Sequence, residues 1–165
     1  MPITFFRRLL PYALYTQRLT GVPASVTLAQ AALESGWGKH APGNNFFGIK
    51  GSGPAGAQVL HTREFRHGRW VTLRLKFRRY HDPLECFLDH ARIIAEGRYL
   101  KQAMQHTESA RAFVQALQSG RYKYASDPRY ATKILDLIRR YHLEGFDPRP
   151  APTPDSKSLA AGDAL

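Results

Sequence analysis

A chain of 165 residues with 43% hydrophobic and 12% aromatic residues can bury one substantial core, and it is too short for a multidomain array. Its 24 Lys and Arg against 13 Asp and Glu leave a formal charge of +11, which favours a polyanionic partner such as nucleic acid, a bacterial wall polymer or an outer-membrane lipid. The single cysteine, Cys86, excludes an internal disulfide and a cysteine-based metal cluster, and no apolar run is long enough to span a bilayer.

Residues 1–10 mix apolar side chains with Arg7 and Arg8, which lie inside the apolar run rather than before it. No secretory signal peptide is read there, and a short docked arm or extra helical turn is expected. Residues 11–20 predict a helix with Pro11 at its start, Leu14 and Leu19 facing inward, and Gly21 ending it. Pro23 opens the next helix. Leu28, Ala31, Ala32 and Ser35 share one of its faces, and small residues at 29, 31 and 32 let other elements approach closely. Gly36 and Gly38 stop it. Glu34 is therefore expected in the last turn of an apolar helix, with Trp37 beside it. The negative end of the helix dipole and partial burial near Trp37 both disfavour the anion, so the pKa rises. A carboxyl that keeps its proton near neutral pH is what protonation of a glycosidic oxygen requires. A solvated Glu at a frayed helix end is the plain alternative.

A loop follows, with His40 as a lone surface histidine and Asn44 and Asn45 suited to a turn. Phe46, Phe47 and Ile49 return to the core. The Gly-rich stretch 51–56 lacks a Gly-Lys-Ser/Thr ending, so it is not a phosphate cradle. Val71, Leu73, Leu75 and Phe77 alternate with Thr72, Arg74, Lys76 and Arg78, a period of two that predicts a hairpin strand. Its partner runs from about 58 to 65 and contains Glu64; the turn is 66–69. One hairpin face is apolar and the other basic, either to meet an anionic polymer or simply to be solvated.

Asp82 and Pro83 start a helix with Leu84, Phe87, Leu88, Ala91 and Ile94 inward, Cys86 as a buried structural thiol, and Glu85 and Asp89 solvated. Gly97 ends it. Short helices are expected around Tyr99, Leu100 and Met104, and around Ala112, Phe113, Ala116 and Leu117. Asp127, followed by Pro128, caps a final helix with Ile134, Leu135, Leu137, Ile138 and Tyr141 inward. Beyond it four prolines between 148 and 154 cannot build a core. This divides the chain into a domain, 1–146, and a flexible tail, 147–165. The seven histidines show no metal-ligand spacing.

Residues 28–38 (LAQAALESGWG), 45–51 (NFFGIKG) and 124–130 (YASDPRY), in that order, resemble glycoside hydrolase family 73, over roughly residues 10–143. Ser126 stands where the family usually has Thr. The resemblance implies a mainly α (α+β), lysozyme-like fold in which a helical lobe and a β-hairpin lobe flank a substrate groove. It implies hydrolysis of the β-1,4 bond from N-acetylglucosamine to N-acetylmuramic acid in peptidoglycan. Glu34 is then the general acid, Glu64 the candidate base or charge stabiliser, and Tyr124 a cleft residue positioning substrate. Trp37, Asn45, Phe47, Gly48 and Tyr130 are the candidate substrate-binding residues. If Glu64 is remote, the substrate acetamido oxygen can serve as nucleophile. No metal or other cofactor is expected, nor nucleic acid, and the chain is expected to act as a monomer.

The rival readings are a muramidase or lytic transglycosylase on the same polymer, and a non-catalytic wall-binding module. A wall hydrolase without a signal peptide suits delivery to the periplasm by type VI secretion, as an antibacterial effector, or release as a phage lysin. The effector role would call for a cognate immunity protein that plugs the groove.

Overall fold

Residues 24–34 form the helix about which the others pack, because small or apolar residues occupy it everywhere except Gln30 and Glu34. The computed structural model describes residues 2–66, 68–97 and 100–147, the side chains of 63–66 excepted. In chain order the elements are α1 (Pro2–Thr20), α2 (Ala24–Glu34), β1 (Ala57–Arg66), β2 (Arg69–Arg78), α3 (Pro83–Glu96), α4 (Ala110–Leu117) and α5 (Tyr130–Arg140). Short 3-10 turns cover Pro42–Asn44, Lys101–His106 and Leu143–Phe146. Every residue of α2 from Ala24 to Ala32 is buried. A helix buried nearly all round belongs in the middle of a domain, and α2 contacts α1, α4, α5 and the 143–146 turn.

α1 is longer than the sequence suggests. The expected arm and the helix beginning at Pro11 are one helix from Pro2, with Pro11 inside it. Pro11 lies on the exposed side, as do Arg7 and Arg8, so the carbonyl freed at Arg7 is left to solvent. The buried set is Phe5, Phe6, Leu9, Ala13 and Thr16. Their spacing of three and four keeps one stripe toward the core. Leu19 is 61% exposed, not inward, while Leu14 is half-buried.

The amide groups at the start of α2 lack a cap of their own, since Pro23 precedes them. Side chains from both ends of the chain supply the missing acceptors. Gln17 Oε1 of α1 accepts from Ala24 N, and Asp147 Oδ1 accepts from Ser25 N at 2.9 Å. Ser25 Oγ donates to the second Asp147 oxygen. Asp147, expected in the flexible tail, is thus pinned 122 residues away on α2; the rest of that tail lies outside the described residues. Asp147→Ala removes a helix cap and should cost about 1–2 kcal/mol. Urea unfolding measures this loss, and an unchanged midpoint would show the cap to be inert.

β1 and β2 pair antiparallel along their full length, with Glu64 opposite Val71 and His61 opposite Arg74. Among the described side chains the alternation is as expected: Val71, Leu73, Leu75 and Phe77 are half-buried, and Thr72, Arg74 and Lys76 exposed. The base of the hairpin is clipped to the 42–51 loop. Asn45 Nδ2 donates to Ile49 O and Arg78 O at 2.9 and 3.0 Å, and its Oδ1 accepts from Ile49 N at 3.0 Å.

The base is also clipped to α3. Asp89, expected to be solvated, instead has Oδ2 2.6 Å from both Arg78 Nη1 and Tyr80 Oη. α3 otherwise follows its pattern. Asp82 caps it, accepting from Glu85 N at 3.0 Å, and Cys86, Phe87, Ala91 and Ile94 are buried, with His90 among them. Burial pushes the Cys86 thiol up to about 12, in keeping with an inert structural role. α5 begins at Tyr130, later than expected. Asp127 accepts from Arg129 N at 2.8 Å and pairs with Lys133, so it holds the entry turn rather than the formal cap position. Tyr99 lies outside the described residues.

Candidate active site

Glu34 is the last residue of α2, and the chain reverses immediately after it. Gly36, Trp37 and Gly38 all take left-handed backbone conformations, with φ of 55, 64 and 80°. Two glycines accept this freely, whereas a tryptophan there is strained and must be held by its surroundings. Trp37 N donates to Ala32 O at 2.9 Å, and the indole packs edge-on against Phe5, Phe6 and Tyr141 with centroids 5.4–5.7 Å apart. Trp37 therefore faces an aromatic cluster with α1 and the C-terminal turn. The neighbours that bury the Glu34 carboxyl come from elsewhere.

Those neighbours are two phenols. Tyr124 Oη donates to Glu34 Oε1 at 3.0 Å, and Tyr130 Oη donates to the same oxygen at 2.9 Å. Their rings lie 5.4 Å apart. Behind Tyr130, Gln30 Nε2 donates to its hydroxyl at 2.9 Å. Behind Tyr124, His90 Nε2 lies 2.9 Å from its hydroxyl. Gln30 precedes Glu34 by one helical turn on the same face of α2, whereas His90 comes from α3. The His90 ring stacks on Phe47, 3.8 Å between centroids and 13° from parallel.

Burial raises the Glu34 carboxyl to about 7, against the opposing pull of the two phenol hydrogen bonds, which favour the anion. Both phenols are themselves pushed upward by burial and by the carboxylate, so they stay neutral donors. His90 falls to about 3, since burial disfavours its cation. At mid pH the cluster is thus a half-protonated acid held by neutral groups. Oε1 takes both phenol hydrogen bonds. Oε2 takes none among the described residues and is not among their buried unpartnered atoms. A proton on Oε2 can be handed to an oxygen in front of it.

The remaining sequence candidates divide. Tyr124 and Tyr130 join Glu34 directly. Phe47 is 5% exposed and lies under His90, so it supports the site from within the core rather than meeting substrate. Asn45 is likewise 5% exposed, and both ends of its amide are spent on backbone groups, Ile49 in its own loop and Arg78 at the hairpin base. Gly48, with φ of 59° and open space where a side chain would stand, borders a hollow of about 170 Å³. Pro42, Leu60, Thr62 and Phe77 complete much of its lining, between the loop and the hairpin. Glu64 lies in β1; its side chain is outside the described residues. Gln30, inside the 28–38 motif but given no role there, and His90, outside every motif, are the site residues that sequence reasoning missed. Each is a polar side chain at a core position, one turn before Glu34 and within the apolar stripe of α3 respectively, and for His90 that is the whole of its signal.

A second hollow, about 620 Å³ against α4 and α5, is lined by Arg111, Asp136, Arg139 and His142 among others and touches none of the Glu34 network. Among the described residues no group of three or more His, Cys, Asp or Glu is placed to hold a metal ion. Nor is any described helix long and apolar enough to cross a membrane.

The family model described as mannosyl-glycoprotein endo-beta-N-acetylglucosaminidase matches residues 10–143. Exo-glucosaminidase LytG of Bacillus subtilis is 34% identical over 136 residues, covering 74% of this chain and 45% of LytG. Peptidoglycan hydrolase FlgJ of Escherichia coli is 38% identical over 141 residues, covering 79% of this chain and 44% of FlgJ. The chain thus spans less than half the length of these relatives. The crystal structure of the catalytic domain of the autolysin Auto from Listeria monocytogenes superposes with a TM-score of 0.79 at 31% identity, covering 88% of this chain and 87% of that one. The fold is the lysozyme-like one, a helical lobe with a hairpin lobe.

Proposed function

The chain belongs to the glucosaminidase family of glycoside hydrolases, and from that premise we propose that it hydrolyses peptidoglycan at the β-1,4 bond from N-acetylglucosamine to N-acetylmuramic acid, with Glu34 as general acid. The observation that carries this reading is the seat of Glu34. Its carboxyl is half-buried, raised to about 7, and held at one oxygen by two phenols. In the proposed step Oε2 gives its proton to the glycosidic oxygen as the bond from the anomeric carbon to that oxygen breaks. The electron pair of the bond leaves with the oxygen, and positive charge develops on the sugar ring. Water then adds to the anomeric carbon; its spare proton returns to Glu34 when the charge has been held by a nucleophile, or goes to the second carboxylate when water attacks directly.

The developing charge needs a second carboxylate or the substrate's own acetamido oxygen. Glu64, in register opposite Val71 on the hairpin, is the proposed partner. Separations of about 5–5.5 Å suit a covalent intermediate, and about 6.5–9.5 Å leave room for water. Glu64→Gln separates the possibilities: a large loss of turnover assigns the role to Glu64, and parental turnover assigns it to the acetamido oxygen. The exposed Arg74 and Lys76, with His61 opposite Arg74, favour an anionic wall polymer as the partner. An inhibitor protein seated over Glu34 would block access to its carboxyl.

Digestion of purified peptidoglycan followed by mass spectrometry tests the bond. Fragments with reducing-end N-acetylglucosamine are expected. Reducing-end or anhydro muramic acid would move the assignment to a muramidase or a lytic transglycosylase.

A further inference from the structure

We infer that Gln30 and His90 are positioning residues that commit both phenol hydrogens to Glu34 Oε1, and so place the acid's transferable proton on Oε2. This rests on the reading of Glu34 as the general acid.

A phenol has one hydrogen to give. Tyr130 Oη is 2.9 Å from Gln30 Nε2 and 2.9 Å from Glu34 Oε1. The Gln30 amide donates, so the Tyr130 hydrogen is free for the carboxyl. Turning the amide over would leave both of its N–H donors buried without an acceptor among the described residues, where the donating arrangement leaves one N–H and one oxygen bare. Gln30 Oε1 is the buried atom that has no partner among the described residues. Unpaired buried N–H groups are the rarer and costlier case, so the donating arrangement wins.

The same reasoning applies to His90. Nε2 lies 2.9 Å from Tyr124 Oη, and Nδ1 is buried without a partner among the described residues. If the proton sat on Nδ1, a buried N–H would be orphaned and Tyr124 would turn its hydrogen toward the imidazole. With the proton on Nε2, only a lone pair is left bare, and Tyr124 donates to Glu34. The Phe47 stack fixes the ring plane that makes this contact. The two relays, from α2 and α3, converge on one carboxyl oxygen. An oxygen that already accepts two hydrogen bonds is the poorer place for a third hydrogen, so protonation falls on Oε2.

The titratable side chains around Glu34 are Tyr124, Tyr130, Cys86 and His90, with Asp89 acting on His90. Cys86 and His90 stay neutral through mid pH, so the alkaline limb of the rate profile reports Glu34.

The test is a set of variants assayed on wall fragments across pH. His90→Phe keeps a flat ring against Phe47 but has no N–H. It is expected to lower kcat about 10-fold with KM unchanged, and to move the alkaline limb upward, because Tyr124, no longer accepting an N–H, becomes a weaker and less fixed donor to the Glu34 anion. His90→Gln, which restores a neutral donor, should recover most of the loss. Tyr124→Phe should show the same shift, and adding His90→Phe to it should cost little more. An unshifted limb, or losses that simply multiply in the double variant, overturns the inference and leaves His90 a packing residue. If His90→Phe does not fold, Gln30→Met carries the same comparison against Tyr130→Phe. Failure of the underlying reading looks different, because Glu34→Gln would then keep parental turnover whatever His90 does.

Discussion

Replacing Glu34 by Gln is expected to cut turnover by about 10³-fold or more while making the fold more stable above pH 7. The catalytic half follows from the chemistry, since general acid catalysis contributes about 10²–10⁴-fold and an amide has no proton of suitable acidity to give. The substitution is close to isosteric. The amide oxygen can still accept from Tyr124 and Tyr130, so loss of activity cannot be put down to collapse of the site. In the parent enzyme the rate should fall on the alkaline side as Glu34 ionises near 7, its acid having no proton left to deliver.

The stability half follows from proton linkage. Glu34 is raised from 4.5 to about 7 in the folded chain, so between those values the folded state binds more protons than the unfolded one. Stability contributed by the neutral carboxyl is complete below about 4.5 and lost as pH rises through 7. At pH 8 the folded protein carries a cost of at most about 3 kcal/mol, which solvent access at Oε2 reduces. Gln has no such cost. Urea unfolding at pH 4 and pH 8 measures the difference. The variant should exceed the parent at pH 8, and its advantage should shrink toward pH 4. Parental turnover in the variant would sink the catalytic assignment; a pH-independent stability difference would sink the raised pKa.

Much of this site is legible in the sequence, and the part that is not has a common cause. Glu34 stands out because a run of small residues ending at Gly36 and Gly38 dictates a buried helix and its stop. The hairpin is legible because a period of two has one structural meaning. Local patterns of this kind depend on neighbours a few residues away. The partners of Glu34 lie 90 and 96 residues further on, and no periodicity encodes that Tyr124 and Tyr130 reach the same oxygen. The expected source of burial, Trp37, is near in sequence but points the wrong way, because its left-handed backbone turns the indole toward Phe5, Phe6 and Tyr141. His90 is hidden by its position in an apolar stripe. Pro11 misleads for a different reason. Proline marks helix starts often enough to suggest one, but a helix lying on the surface tolerates it on the exposed side.

Asp89→Ala is expected to cost about 2–4 kcal/mol, lower the melting temperature by roughly 5–10 °C, and reduce activity although Asp89 does not touch Glu34. Asp89 Oδ2 receives Arg78 Nη1 and Tyr80 Oη, both at 2.6 Å, and Arg78 Nε also donates to Lys50 O at 3.1 Å. The side chains of Arg78 and Asp89 are 30% and 17% exposed, and Tyr80 is 3% exposed. This pair is therefore drier than a surface ion pair, and Asp89 keeps the Arg78 guanidinium pKa above its usual range. Removing the carboxylate strands a buried phenol and a half-buried cation at the foot of β2. The hairpin, which carries Glu64, loses its tie to α3. Asp89→Asn keeps an acceptor for Tyr80 and gives up only the charge, so it should fall between parent and Ala. Calorimetry with parallel kcat and KM measurements checks the series, and a melting point for Asp89→Ala within about 1 °C of the parent would refute it. Consecutive residues of α3 then divide the work. Asp89 holds the lobe bearing the proposed second carboxylate, and His90 orients the phenol on the first, so a small displacement of this helix would disturb the Glu34 network and the hairpin base together.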